Sequence, residues 1–209
     1  MKNILFATLL GCFALVGGVN ATTITSSFAT DLDGWTAQHG ILVWNNTAGN
    51  PGGFLEEDDD GQSNMHVIAP AKFLGNLTGY TLTVDIRQLL GTAGTFGGFG
   101  TIAITGGGGL VMSADLGAPA TTWTTYTLPF TAAAFGNDAN FNTIISSVTK
   151  IQLALDPRNQ IDTDQVGMDN FTLTNNLQAD PTIPEPATMG LLGSALFTLG
   201  VARKRSRAR

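Results

Sequence analysis

Tyr80-Thr81-Leu82-Thr83-Val84-Asp85-Ile86-Arg87 decides the fold class. Leu82, Val84 and Ile86 alternate with Thr81, Thr83, Asp85 and Arg87, and a period of two puts the apolar set on one face of a strand and the polar set on the other. Thr, Val, Ile and Tyr are also the residues that fit a pleated, half-buried surface. Working outward, similar runs stand at 99–104, 123–130, 148–155 and 166–173. Turn material separates them: Gly49-Asn50-Pro51-Gly52-Gly53 and the glycine-rich stretches 91–98 and 106–109. Many short strands joined by such turns predict an all-β, jelly-roll β-sandwich. One short helix is expected over 138–147, with Asp138 or Asn140 as its cap and Phe141, Ile144, Ile145 and Val148 on one face. The polar stretch from Thr174 to Thr182 reads as a linker.

The two ends of the chain carry a different kind of information. Lys2, an apolar run over 4–16 and the small residues of Val19-Asn20-Ala21 form a secretory signal peptide with cleavage expected after Ala21. An uncleaved anchor would need about 20 apolar residues, more than are present. Leu9-Leu10-Gly11-Cys12 loosely matches a lipidation box, but it lies very early in the chain. At the other end Pro184-Glu185-Pro186 precedes an apolar segment over 187–202 that ends on Arg203-Lys204-Arg205 and further basic residues to Arg209. A motif, a single membrane helix and a basic stop follow in that order, and positive charge flanking an apolar helix stays cytoplasmic. The expected division is therefore a signal peptide over 1–21, a β-sandwich over 22–174, a linker over 175–182 and a sorting tail over 183–209. Export would engage the Sec machinery and signal peptidase.

Hydrophobic residues make up 43% of the 209 and charged ones 12%, and much of the apolar excess sits in the two ends. Between Thr22 and Asp180 there are four basic and fifteen acidic residues, a net charge of −11. Such a surface repels phosphate backbones and makes nucleic acid an unsuitable partner, whereas cations and neutral polymers can approach it. The single cysteine, Cys12, lies in the signal segment, so the body has no thiol for a disulfide, catalysis or metal ligation.

The tail over 183–209 resembles the PEP-CTERM sorting signal of exopolysaccharide-producing Gram-negative bacteria. The resemblance implies that Pro184, Glu185 and Pro186 are recognised by the membrane enzyme exosortase, with release of the body to the cell surface or biofilm matrix. This tail is also labelled after ice-binding proteins. Ice binding requires regular rows of threonine, however, and Thr81-Leu82-Thr83 and the threonines of 121–127 follow no fixed repeat. A second resemblance covers the body. Phe28-x-x-Asp31-Leu32-Asp33-Gly34-Trp35, Gly49-Asn50-Pro51-Gly52-Gly53-Phe54, Ala69-Pro70-x-Lys72-Phe73-Leu74-Gly75-Asn76-Leu77, Trp123-x-x-Tyr126-x-Leu128 and Asp169-Asn170-Phe171 are together similar to a laminin B (type IV) domain, with its galactose-binding-like jelly roll. The ligand-bearing loops match no binding pattern, so fold is implied and ligand is not.

Chemistry-bearing patterns are few. There is no Gly-x-Ser-x-Gly elbow; His66 reads as a strand residue and His39, beside Gly40, as part of a turn. Fifteen carboxylates leave glycoside cleavage open in principle, while jelly rolls of this kind more often bind than cut, and no catalytic residue is assigned. Glu56-Glu57-Asp58-Asp59-Asp60-Gly61 reads as a solvated loop or as a structural calcium site with Asp58 and Asp60 as ligands and Asp169 as a further one. Among aromatics, Trp44 with Asn45 and Asn46 is the expected sugar platform, a ring for stacking beside amides for hydrogen bonds. Trp35 and Trp123 read as core, and Phe96 and Phe99 as an exposed edge or a plug. The sequence thus points to a non-catalytic surface or matrix protein that binds exopolysaccharide or another glycan. A structural matrix or surface-layer component acting through protein contacts is the alternative.

Overall fold

Alternating apolar residues build two antiparallel sheets that face each other. The computed structural model describes residues 21–59, 65–90, 99–118, 120–156 and 164–175. The expected signal segment up to Asn20, the sorting tail with Pro184, Glu185, Pro186, Arg203, Lys204 and Arg205, and Asp60 and Phe96 lie outside them. The strands are β1 (Thr22–Ser26), β2 (Thr36–His39), β3 (Ile41–Gly49), β4 (Gly52–Asp58), β5 (His66–Ile68), β6 (Tyr80–Leu90), β7 (Thr101–Gly106), β8 (Leu110–Asp115), β9 (Thr124–Pro129), β10 (Val148–Ala154) and β11 (Gln165–Asn175). One α-helix, α1 (Phe141–Ile145), and two short 3₁₀ turns, Ala71–Phe73 and Ala133–Phe135, complete the set. None of these described helices is long and apolar enough to cross a membrane.

The first sheet runs β3-β4-β11-β6-β9, and the second β2-β5-β10-β7-β8. β11 holds the first sheet together. One side pairs with β6 along most of its length, while the other pairs first with β4 and then, from Phe171 on, with β1. Where the partner changes, the register against β6 slips by one residue between Asp169 and Thr172, a β-bulge. Asn170 takes φ 49° there, a left-handed conformation that asparagine tolerates better than most residues. The strands and their turns belong to one compact unit, Ala21–Asn176.

Leu82, Val84, Ile86, Val166, Met168 and Leu173 of the first sheet meet Val67, Ile102, Ile104, Ile151 and Leu153 of the second in a buried core. Phe28, Trp35, Phe73 and Phe171 cluster in this core, with the Trp35 and Phe73 rings edge-on to Phe171 at 4.8 and 4.9 Å and Phe28 tilted against Trp35. Phe130, Phe135 and Phe141 form a second aromatic cluster. Phe99 is buried in this core and plugs it.

Four local expectations change. The helix is one turn shorter at its start and has no side-chain cap, because Asp138 instead accepts the Asn140 N–H at 2.7 Å in a turn of its own. His39 ends β2 and is half-buried. The acidic run is strand for its first three residues, and Glu57 points inward and is fully buried. Trp123 is outside the core: Thr124 pairs with Ile86, whose side chain faces inward, so alternation turns Trp123 to the outer face.

Candidate functional site

The outer face of the first sheet follows from the same alternation. Asn45 pairs with Phe54, Glu56 with Gly167, Gly167 with Arg87, and Asp169 with Asp85, which pairs in turn with Thr125. All of these stand on the side away from the core. Trp123 reaches across this face from the start of β9. Its indole N–H donates to the Ala48 carbonyl at 3.0 Å, and its ring packs edge-on against Phe54 with centroids 5.5 Å apart. Gly167 makes room for the ring, because a Cβ there would lie 2.9 Å from Trp123 Cη2 and 3.1 Å from the Phe54 ring. The Arg87 guanidinium stands 5.6 Å from the centre of the Trp123 ring, within cation–π range. Arg87 thus brings a planar fork of five N–H donors to this face. Asn45 donates to Glu56 Oε2 at 2.6 Å alongside.

Below the ring the β3–β4 turn is pinned to the bulge. Asp169 is fully buried; its Oδ2 accepts the Asn50 backbone N–H at 2.6 Å and its Oδ1 the Asn170 N–H at 2.7 Å. Asp85, also buried, accepts the amides of Asn50 at 3.2 Å and Asn170 at 2.8 Å and the hydroxyl of Thr125. The Asn170 amide also reaches the Asn50 carbonyl. Burial pushes the Asp169 carboxyl above its ordinary value against the pull of the two N–H donors, and the neighbouring Asp85 charge adds to the rise. Gly49 is required here, since a Cβ would lie 2.2 Å from the Gly53 carbonyl oxygen and 2.9 Å from Asp169 Oδ2.

The expected platform of Trp44, Asn45 and Asn46 is divided by the strand period. Trp44 pairs with the core residue Leu55 and leans over the sandwich rim, its indole donating to the Phe28 carbonyl at 2.8 Å. Asn46 is exposed on that side, and Asn45 alone shares the face with Trp123. The expected calcium ligands are also apart. Asp58 pairs with Gln165, whereas Asp169 lies beyond the Met168–Leu55 pair at the other end of β4. Among the described residues no three His, Cys, Asp or Glu side chains converge as a metal site requires. Sequence reasoning missed Trp123, Phe54, Gly167 and Arg87 as a group. The pairings that assemble them join distant positions, Gly167 with Glu56 and with Arg87 and Thr124 with Ile86, and the one local trace was a glycine inside the strand run 166–173.

A polar depression of about 260 Å³ lies by the loop after β1, lined by Thr25, Ser27, Thr30, Asp31, Asp33 and Lys72 among others. Its charged groups are spent on the loop itself. Asp33 accepts the Ser26 hydroxyl at 2.6 Å and the Lys72 ammonium, Lys72 also donates to the Thr25 carbonyl at 2.8 Å, and the Trp35 indole donates to Ser26 Oγ at 2.9 Å. Burial opposes the charge on Asp33, but its bonds to Lys72 and Ser26 and the Lys72 charge outweigh it and hold the carboxyl below its ordinary value.

Comparison with known proteins separates the body from the tail. A sequence search of curated proteins found no match. The fold is similar to an exo-beta-agarase at TM-score 0.56 and 15% identity over 72% of this chain, which spans about a quarter (24%) of that enzyme. It is similar to the L4b domain of human laminin alpha-2 at TM-score 0.52 and 14% identity, covering 77% of this chain and 100% of that one. The CBM22-2 xylan-binding domain from Paenibacillus barcinonensis matches at TM-score 0.51 and 12% identity, covering 73% and 99%. At these identities the likeness is one of fold. The PEP-CTERM protein-sorting motif matches residues 182–205. The body therefore has the jelly-roll fold shared by laminin L4b and CBM22 domains, and the chain carries the PEP-CTERM motif of an exported, membrane-sorted protein.

Proposed function

We propose that this is a surface or biofilm-matrix protein, processed at its tail by exosortase, whose body is a non-catalytic module that binds a neutral glycan on the outer face of the first sheet. The observation that carries the reading is the half-buried Trp123 ring laid over Gly167, with the Arg87 guanidinium beside it and Asn45 on the same face. An indole offers an apolar surface to the C–H face of a sugar ring, and a guanidinium and an amide offer forked donors to its hydroxyls. The net charge of −11 over 22–180 favours a neutral polymer over an anionic one. Similar folds in a xylan-binding domain and an agarase are consistent with a sugar ligand.

The test is affinity electrophoresis of the protein in gels containing the host's own exopolysaccharide. Trp123→Ala should weaken binding about tenfold, equivalent to about 1.4 kcal/mol, while circular dichroism stays unchanged. Retardation equal to that of the parent protein would remove this face as the site and return weight to Trp44 at the rim.

A further inference from the structure

Each open edge of a sheet presents unpaired backbone N–H and C=O groups, which natural proteins protect with charge, proline, bulges, short strands or a covering segment. The edges of this sandwich can be compared on that basis. β2 has only four residues and a register break between Ala37 and His39. β8 ends on Asp115 and packs against the 3₁₀ turn Ala133–Phe135 and α1. β9 ends on Pro129, and its Tyr126 hydroxyl donates to the Ala118 carbonyl at 2.7 Å. The Lys72 ammonium caps β1 at the Thr25 carbonyl. Among the described residues β3 carries none of these devices over Ile41-Leu42-Val43-Trp44-Asn45, a stretch without charge or proline that pairs with β4 in unbroken register. Ile41, Val43 and Trp44 on it are 55%, 40% and 36% exposed, three of the six large exposed apolar side chains among the described residues.

We infer that β3 is a self-association edge and that its partner is β3 of a second copy of this chain, paired antiparallel about a two-fold axis. Charge selects this partner. With a net charge of −11 over 22–180, two copies repel at most points of contact, and an uncharged strip is where they can meet without opposing carboxylates. The two-fold axis must keep each sheet face on its own side, so it passes through a residue. The centre of the unbroken register is Val43. Val43 then faces Val43, Ile41 faces Asn45, and Leu42 faces Trp44. This pairing continues the first sheet across both copies and sets their two Trp123 faces on one side of it, where a long polymer could engage both and gain avidity. The dimer itself does not depend on glycan binding.

The body has no cysteine, so a single introduced thiol reports the contact cleanly. In the full chain carrying Cys12→Ser, Val43→Cys should give a disulfide-linked dimer on mild oxidation without glycan. Facing residues in an antiparallel pair have Cα atoms about 4.5 or 5.5 Å apart, within the range a disulfide spans. Val111→Cys, on the exposed part of β8, is the control and should crosslink at least tenfold less. Light scattering should give twice the monomer mass for the parent and for Val43→Thr, and the monomer mass for Val43→Lys. A monomeric parent, or equal crosslinking at the two positions, overturns the inference. Because no sugar is present, loss of the dimer and loss of glycan binding by Trp123→Ala are separate results.

Discussion

The two sheets share one core but differ on their outer faces. β2, β5, β7, β8 and β10 contain no Phe, Tyr or Trp, and the outer side of their sheet is made of ordinary strand residues such as Ala103 between Gln152 and Ser113. The outer side of the other sheet holds Phe54, Trp123, Arg87, a glycine that admits the indole, and two buried carboxylates that fix the turn above them. Packing the sandwich does not require this asymmetry, since the second sheet buries its inner face without it. What the asymmetry adds is a rigid aromatic surface open to solvent.

The largest expected effect separates an inner indole from an outer one. Trp35→Ala removes a ring buried among Phe28, Phe73 and Phe171 and should cost about 3–5 kcal/mol in denaturant unfolding. Trp123→Ala removes a half-buried ring and should cost roughly 1–2 kcal/mol. Equal costs would mean that Trp123 is structural and that the comparison between the faces is empty.

Gly167→Val sharpens the comparison. Its side chain would meet Trp123 and Phe54, an overpacking that costs about 1–3 kcal/mol and lifts the indole off the sheet. Ala103→Val, at an outer position of the second sheet between Gln152 and Ser113, should stay within about 0.5 kcal/mol of the parent. Glycan retardation should fall for the first variant and hold for the second. A loss in both would place binding on no particular face.

How much of this was legible in the sequence depends on the range of the interactions involved. The strands at Tyr80, Val148 and Val166 were readable because burial on one face writes itself as a period of two. β4 was not, because Gly52-Gly53-Phe54-Leu55-Glu56-Glu57-Asp58 looks acidic and loop-like, and only the fold buries Glu57. Trp123 read as core and lies on the outer face, since its side follows from the register Thr124 to Ile86, which the sequence does not display. The Trp44-Asn45-Asn46 group is divided for the complementary reason: neighbours in a strand point to opposite sides. Asp169-Asn170-Phe171 was visible as a motif, and its bulge was not.

The smallest expected effect tests how the outer face is held. Asp169 is buried beside Asp85, and its carboxyl is raised above the ordinary 3.8. A raised acid binds its proton more tightly in the folded state than in the unfolded one. The stability it contributes is therefore fully present below the unfolded value and is lost as the pH rises through the folded one. A carbon-13 titration of the Asp169 carboxyl should show a midpoint above 3.8. Asp85→Asn should bring that midpoint down by removing the like charge, although burial, the larger cause, keeps it raised. If the midpoint does not move, the two carboxylates do not sense each other, and the turn of the first sheet is held by hydrogen bonds to Asn50 and Asn170 without electrostatic tension. If it falls, the face carries a charge penalty at neutral pH, as expected of a surface in which residues have been placed for something other than stability.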